Sequence, residues 1–147
     1  MIGLLQRVTE SAVVVDDRTV GKIDRGLLVF IGVEKGDTQQ TAARLAERIL
    51  DYRVFPDAED RMNLGLRDIG GGLLLVPQFT LAANTRKGLR ASFATAAAPE
   101  QGRRLYEDLV SQSRLLHQPV ETGEFGAHMQ VSLVNDGPVT FWLQVKP

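Results

Sequence analysis

Three stretches of this chain hold residue types that could bind or polarise a substrate. Pro77-Gln78-Phe79-Thr80-Leu81 sets an amide, an aromatic ring and a hydroxyl side by side. Thr80 has two readings there: a hydroxyl paired with nearby backbone, or a hydroxyl or N–H donor to an oxygen that gains negative charge during a reaction. Val134-Asn135-Asp136-Gly137-Pro138-Val139-Thr140 joins two signals that conflict. Asp136-Gly137 between alternating apolar runs closes a hairpin, but Pro138 then removes an N–H and biases Gly137 towards extended geometry. The stretch is either a tight turn with an awkward proline or a rigid backbone device whose carbonyls face a ligand. Arg86, Lys87 and Arg90 fall within five residues, with no acid between them and Phe93 just beyond. That is a solvated loop or a phosphate-contacting patch. Phe125, His128 and Met129 either wall a base-stacking pocket or belong to the core.

The composition excludes several other chemistries. The chain has no cysteine, so a disulfide framework and a thiolate metal site are both ruled out. His117 and His128 flank no nucleophile motif, which argues against a Ser-His-Asp arrangement and a histidine-based metal centre. Neither covalent catalysis nor a metal is expected. A formal net charge of −1 gives no general basic excess, so any contact with nucleic acid must come from a local patch. The opening residues Met1 to Arg7 lack a charged leader, and no apolar run approaches the ~20 residues of a membrane helix. A cytoplasmic protein with no membrane partner is the expectation.

The elements that must position these residues follow from periodicity. Residues 2–8 and 11–15 are rich in Val, Ile and Leu and read as two short strands bent at Thr9-Glu10. Thr19 to Ile23 makes a third, and the almost uninterrupted apolar run Gly26 to Val33 is the central strand, buried on both faces. Asp37 followed by Gln40 resembles a capping box. Ala42, Leu45, Ala46, Ile49 and Tyr52 then recur at helical spacing, so a helix of about four turns lies on the sheet. Arg53-Val54-Phe55 is a brief strand ended by Pro56. Gly70-Gly71-Gly72 launches the strand Leu73 to Phe79, where Pro77 argues for an edge position or a bulge. Residues 82–98 hold no period and read as a long surface loop. Pro99 opens a second helix carried by Leu105, Tyr106, Leu109, Val110 and Leu116, and Pro119 enforces its end. A final hairpin, Met129 to Val134 and Val139 to Val145, presents Val131, Leu133, Phe141 and Leu143 on one face. With 147 residues, 44% of them hydrophobic, the chain fits one domain spanning 1–147. Its fold class is α/β or α+β, a mixed and largely antiparallel sheet covered by two main helices.

Gln6-Arg7-Val8, Arg61-Met62-Asn63-Leu64, Gln78-Phe79-Thr80-Leu81, Arg86-Lys87-Gly88 and Asn135-Asp136-Gly137-Pro138-Val139-Thr140, in this order and spacing, resemble the D-aminoacyl-tRNA deacylases. The resemblance runs nearly end to end. It implies a single α/β domain with a barrel-like sheet, a homodimer with its active sites at the subunit interface, and no metal or other cofactor. The implied reaction is hydrolysis of the ester that links a D-amino acid, or mischarged glycine, to the terminal adenosine of tRNA. Residue by residue, Gly137-Pro138 matches a cis-proline motif that enters the partner's site and reads chirality. Gln78, Phe79 and Thr80 match the catalytic-pocket motif. Arg7 matches the arginine that holds the proline motif, and Phe125 and Met129 fall where the terminal adenosine packs.

Two positions depart from the family pattern, which carries serine at Pro77 and proline at Ala91. Pro77 has neither a hydroxyl nor an N–H, so any role of that serine is absent here. The residues alone also fit a non-catalytic tRNA- or RNA-binding module using the Arg86, Lys87 and Arg90 loop. A small hydrolase of D-aminoacyl esters or peptides that ignores RNA fits them as well.

Overall fold

The bend expected at Thr9-Glu10 is absent. In the computed structural model, which describes residues 1–147, β1 (Ile2–Val15) is one strand of 14 residues. It stays continuous because it is paired along its whole length. β8 (Gln130–Gln144) runs antiparallel to it from Ile2 to Val14. β3 (Gly26–Gly32) pairs Ile2–Val8, and β2 (Arg18–Ile23) pairs Ser11–Val15. A register shift near Thr9 does the work expected of a bend. An extra residue flips the side-chain faces, so Leu5 joins one apolar cluster while Val13 and Val15, an even number of residues further on, join the other with Val8.

β3 is central, as its apolar run predicts. Leu27, Val29 and Ile31 enter the larger cluster under the helices, and Leu28 enters the smaller one inside the sheet. Its other neighbour, β6 (Gly72–Pro77), is parallel to it, and β7 (Val120–Thr122) is parallel to β6. β2 then lies against β7 so closely that a side chain at Gly21 would strike the Thr122 carbonyl. The sheet is therefore a nearly closed barrel. Pro77 is not on an edge strand: it is the last residue of β6, beyond the Leu73–Leu75 segment that β7 pairs, where a missing N–H costs no ladder bond.

The crossover from β3 to β6 carries α1 (Gln39–Asp51), a small hairpin of β4 (Phe55–Pro56) and β5 (Met62–Leu64), and the single-turn α2 (Leu66–Ile69). Thr38, not Asp37, caps α1: the Thr38 and Thr41 side chains satisfy each other's backbone N–H groups. Asp37 is committed elsewhere. Its carboxylate sits 2.7 Å from the Met1 ammonium, which is fully buried and also donates to the Val145 carbonyl at 2.7 Å, and it accepts the Glu34 N–H at 2.8 Å. α3 (Pro99–Leu116) starts at Pro99 and buries Leu105, Tyr106, Leu109 and Val110, while Leu116 stays exposed.

The expected terminal hairpin is also replaced. β8 is a single strand, and Asn135-Asp136-Gly137-Pro138-Val139-Thr140 forms a wide bulge within it. Gln6 pairs with Thr140 and Val8 with Asn135, so Asp136 to Val139 are looped out opposite Arg7 alone. The bulge reverses the faces of β8, which corrects the assignment of four side chains to one face. Val131 and Leu133 pack against the inner cluster, whereas Leu143 and Phe141 pack against the outer one.

Candidate active site

β3 and β6 are parallel and end side by side, the usual place for a ligand crevice in a parallel sheet. At that end the Gln78 N–H donates to the Ile31 carbonyl at 2.7 Å. The chain then tightens into a single 3₁₀ turn, Phe79–Ala82. Pro77 ends the ladder just before it, and the leading N–H groups of such a turn, those of Phe79 and Thr80, have no partner inside the turn. The Thr80 hydroxyl donates to Gln78 Oε1 at 2.6 Å.

Beside this turn opens a cavity of about 450 Å³. Its walls include Val76, Pro77, Gln78, Phe79, Tyr106, Phe125, His128 and Met129. Tyr106 donates its hydroxyl to the Leu75 carbonyl at 2.8 Å, and burial pushes its phenol well above the ordinary tyrosine value, so it stays neutral. The Gln78 amide nitrogen, its oxygen being taken by Thr80, and His128 are left to address a ligand. The Phe125 ring is held from behind by Tyr106, centroids 6.1 Å apart, and by the Arg103 guanidinium 4.9 Å from its centre. Met129 Sδ lies 3.4 Å from the Glu124 N–H. Of the residues singled out from the sequence, Gln78, Phe79, Phe125, His128 and Met129 thus share one cavity.

The bulge on β8 is a separate construction. Asn135 closes it: Oδ1 accepts the Val139 N–H at 2.7 Å, and Nδ2 donates to the Val139 carbonyl and the Thr140 hydroxyl at 3.2 and 3.1 Å. Arg7 props it from below, with Nε donating to the Asp136 carbonyl at 2.8 Å and Nη1 to the Val54 carbonyl at 2.7 Å. The Gly137–Pro138 bond is cis, and Gly137 has φ +150°. A Cβ on Gly137 would lie 2.6 Å from Val139 Cγ2 and 2.7 Å from the Val139 nitrogen, so only glycine fits. Neither Arg7, Gly137 nor Pro138 lines the cavity. Within one chain the two groups of site residues are apart.

Two members of these clusters were not singled out from the sequence. Val54 acts through its carbonyl, which leaves no side-chain signal, and Asn135 stands out only as a member of its motif, with no role for its side chain. A tyrosine on the apolar face of a helix, as at Tyr106, does carry a signal: its hydroxyl needs a buried acceptor.

Val54 in turn is bonded to the hairpin that supports Arg7, its N–H donating to the Leu64 carbonyl at 3.1 Å. Asp57 organises that hairpin, accepting the N–H groups of Glu59 and Arg61 and the Asn63 side-chain amide. These bonds hold its carboxyl below the ordinary aspartate value, the Arg61 N–H first and Asn63 second. A carboxylate with a depressed folded-state pKa stabilises the fold above its unfolded value and loses that contribution as pH falls through the folded one. Side-chain carboxyl NMR is expected to give Asp57 a midpoint below that of the urea-unfolded chain, and Asn63→Ala to move it upward. Equal midpoints in the folded and unfolded chains would contradict this.

Arg86, Lys87 and Arg90 lie at the tip of a loop whose stem is closed by reciprocal backbone bonds between Asn84 and Ser92, at 2.7 and 3.0 Å. All three are exposed and none makes an ion pair. Phe93, at the foot of the loop, packs on Phe79 with centroids 5.2 Å apart and planes at 47°. No group of three or more His, Asp and Glu side chains is placed to hold a metal ion. No helix is long and apolar enough to cross a membrane.

Residues 4–144 match the family model described as D-Tyr-tRNA(Tyr) deacylase. A protein of Thioalkalivibrio sulfidiphilus named D-aminoacyl-tRNA deacylase is 67% identical over 147 residues, covering 100% of this chain and 99% of that protein. One of the same name from Alkalilimnicola ehrlichii is 62% identical, with 100% and 98% covered. Among solved structures, a c-Myc DNA unwinding element binding protein superposes with a TM-score of 0.95 at 35% identity, both chains covered completely. A probable eukaryotic D-amino acid tRNA deacylase shares the fold, with a TM-score of 0.84 at 17% identity and 98% of each chain covered.

Proposed function

The chain belongs to the D-Tyr-tRNA(Tyr) deacylase family, and from that premise we propose that it hydrolyses the ester joining a D-amino acid to the terminal adenosine of tRNA, and cleaves glycyl-tRNA too. The observation that carries this is the cavity between Gln78-Phe79 and Phe125-Met129, an apolar, aromatic-walled space with few polar groups. An aminoacyl ester is already activated, so hydrolysis needs an aligned water, oxyanion donors and a close-fitting pocket rather than a strong base. Phe125 and Met129 pack the adenine. Water adds to the ester carbonyl, the N–H groups of Phe79 and Thr80 receive the charge that develops on its oxygen, and the ribose oxygen leaves with a proton. The adenosine 2′-hydroxyl orients the water. Arg86, Lys87 and Arg90 contact tRNA phosphates.

The chirality filter comes from a second copy of the chain. Two features support that reading. The bulge at Asp136-Gly137-Pro138 is exposed and lines no part of the cavity of its own chain, and Val134 and Trp142 on the same strand are 48% and 53% exposed, an apolar surface that a partner would cover. Backbone carbonyls at Gly137 and Pro138 bind the α-ammonium and leave no room for an L side chain. Glycine, having none, passes the filter.

The purified protein is expected to release D-amino acid and glycine from charged tRNA while sparing the L-aminoacyl form. No release, or equal release from the D and L forms, refutes the reading. Thr80→Ala should lower kcat by about tenfold or less. Its hydroxyl is committed to Gln78, so the substitution removes a support of the pocket and leaves the N–H donor in place, whereas loss of a full oxyanion donor costs ~10²–10³. A covalent acyl group on Thr80 during turnover would overturn this. The second reading, non-catalytic nucleic-acid binding, draws on the name of the relative described as a DNA unwinding element binding protein. Binding of tRNA without ester cleavage would favour it.

A further inference from the structure

The reaction uses the Phe79 backbone and its place in the cavity wall, but not the exposed aromatic pair that its ring makes with Phe93. Phe79 is 61% exposed and Phe93 46%, in a chain whose other phenylalanines are buried or half-buried. Each ring stands on anchored backbone. Phe79 follows the Gln78–Ile31 bond. Phe93 is fixed by its own carbonyl accepting the Ala96 N–H at 3.1 Å, by the Thr95 hydroxyl on the Ala82 carbonyl at 2.5 Å, and by the Lys35 N–H on the Thr95 carbonyl at 3.0 Å. Such anchoring holds two apolar rings in water, where side chains of this size are normally withdrawn from it.

The surrounding charge selects the occupant. Between Ala82 and Pro99 there is no acidic residue, and Arg86, Lys87 and Arg90 stand unpaired at the tip of the same loop that carries Phe93. Aromatic faces next to unpaired cations are what an unpaired nucleic-acid strand requires, since bases stack on rings while phosphates take the cations. Three unpaired cations favour a polyanionic strand over a second copy of this chain, whose net charge is only −1. Phe79 also lines the cavity and so marks where the strand enters it.

We propose that Phe79 and Phe93 form a stacking platform for the unpaired base that precedes the aminoacylated adenosine, with Arg86, Lys87 and Arg90 holding phosphates further along the strand. The inference rests on the deacylase reading and assigns that site a second nucleotide position.

The test uses three D-aminoacylated substrates: a hairpin RNA with an unpaired 3′ end, the same RNA with an abasic nucleotide before the terminal adenosine, and D-aminoacyl-adenosine alone. Stacking on aromatic side chains contributes roughly 1–3 kcal/mol per base. For two half-exposed rings the low end applies, so the abasic RNA should raise the KM of the wild-type protein by roughly five- to twentyfold. Phe93→Leu, which keeps apolar bulk and loses the ring, should raise KM on the intact RNA by about as much and show no further rise on the abasic one. Phe93→Tyr should restore it. On D-aminoacyl-adenosine, Phe93→Leu and wild type should be equal. If the wild type cleaves intact and abasic RNA equally well, the platform is refuted while the deacylase reading stands. If Phe93→Leu separates a dimer into monomers on sedimentation, the rings are an interface between copies and the proposal fails. If the wild type cleaves none of the three, the platform and the reading beneath it fall together.

Discussion

Gly137→Ala is expected to leave a folded protein whose kcat/KM on D-aminoacyl-tRNA has dropped by about a hundredfold, with its preference for D over L largely gone. The added Cβ meets the Val139 nitrogen at 2.7 Å and Val139 Cγ2 at 2.6 Å, and the nitrogen is backbone that cannot swing aside. At φ +150° an alanine is also strained, by on the order of 1–3 kcal/mol. The bulge relieves both by moving, and it moves away from the geometry that Arg7 and Asn135 hold. A displacement of about 1 Å in a positioning group costs on the order of 10² in rate. Because the bulge is a surface feature, the melting temperature should fall by only a few degrees, which separates loss of the filter from loss of the fold. Activity and D/L ratio both within twofold of wild type would show that the carbonyls of this turn do not read the substrate.

Asp37→Asn is expected to cost about 3 kcal/mol of stability, seen as a melting temperature lower by roughly 10 °C, with catalysis per folded molecule unchanged. Asp37 and the Met1 ammonium are both buried, and removing one partner of such a pair leaves the other charge uncompensated in the interior. Glu34, 3.3 Å from the ammonium, and the Val145 carbonyl keep the loss below that of a wholly isolated charge. Thr38→Ala provides the contrast, since it removes only a helix cap, worth about 1 kcal/mol. If both variants melt together, Asp37 does no more than a cap would.

Asp37 also illustrates what the sequence could tell. An aspartate just before an apolar helical pattern reads as a cap, and nothing within a few residues says that the chain's own first nitrogen will arrive there. The threonine pair one residue along does the capping. The helices and β3 were legible because their signals are local: the spacing of Leu45, Ala46 and Ile49, and the unbroken apolar run from Leu27 to Ile31. The Gln78-Phe79-Thr80 stretch stood out through its chemistry, and its first two residues do reach the cavity wall. The bulge was not legible. Asp136-Gly137 between alternating strands is a hairpin signal, and only the continuous partner strand β1, more than a hundred residues away, makes the two halves of β8 one strand. The faces of Val131 and Phe141 were misread for the same reason, because the period of two was carried across a bulge that resets it.

That long pairing has a consequence for how the molecule is made. β1 is the first strand to leave the ribosome and β8 the last, with roughly 115 residues between the end of one and the start of the other. At roughly 5–20 residues per second, one edge of β1 waits on the order of ten seconds for its partner, longer than any other strand here. It waits as an apolar, unpaired edge, the kind that recruits foreign strands. Arg7 lies in the middle of it with its guanidinium uncommitted, since the Asp136 carbonyl is not yet synthesised and Val54 arrives only midway. A charge held at the centre of an open strand discourages wrong pairing. The residue that later steadies the bulge can therefore guard the nascent chain first, and a substitution at Arg7 would be felt in the yield of soluble protein before it is felt in turnover.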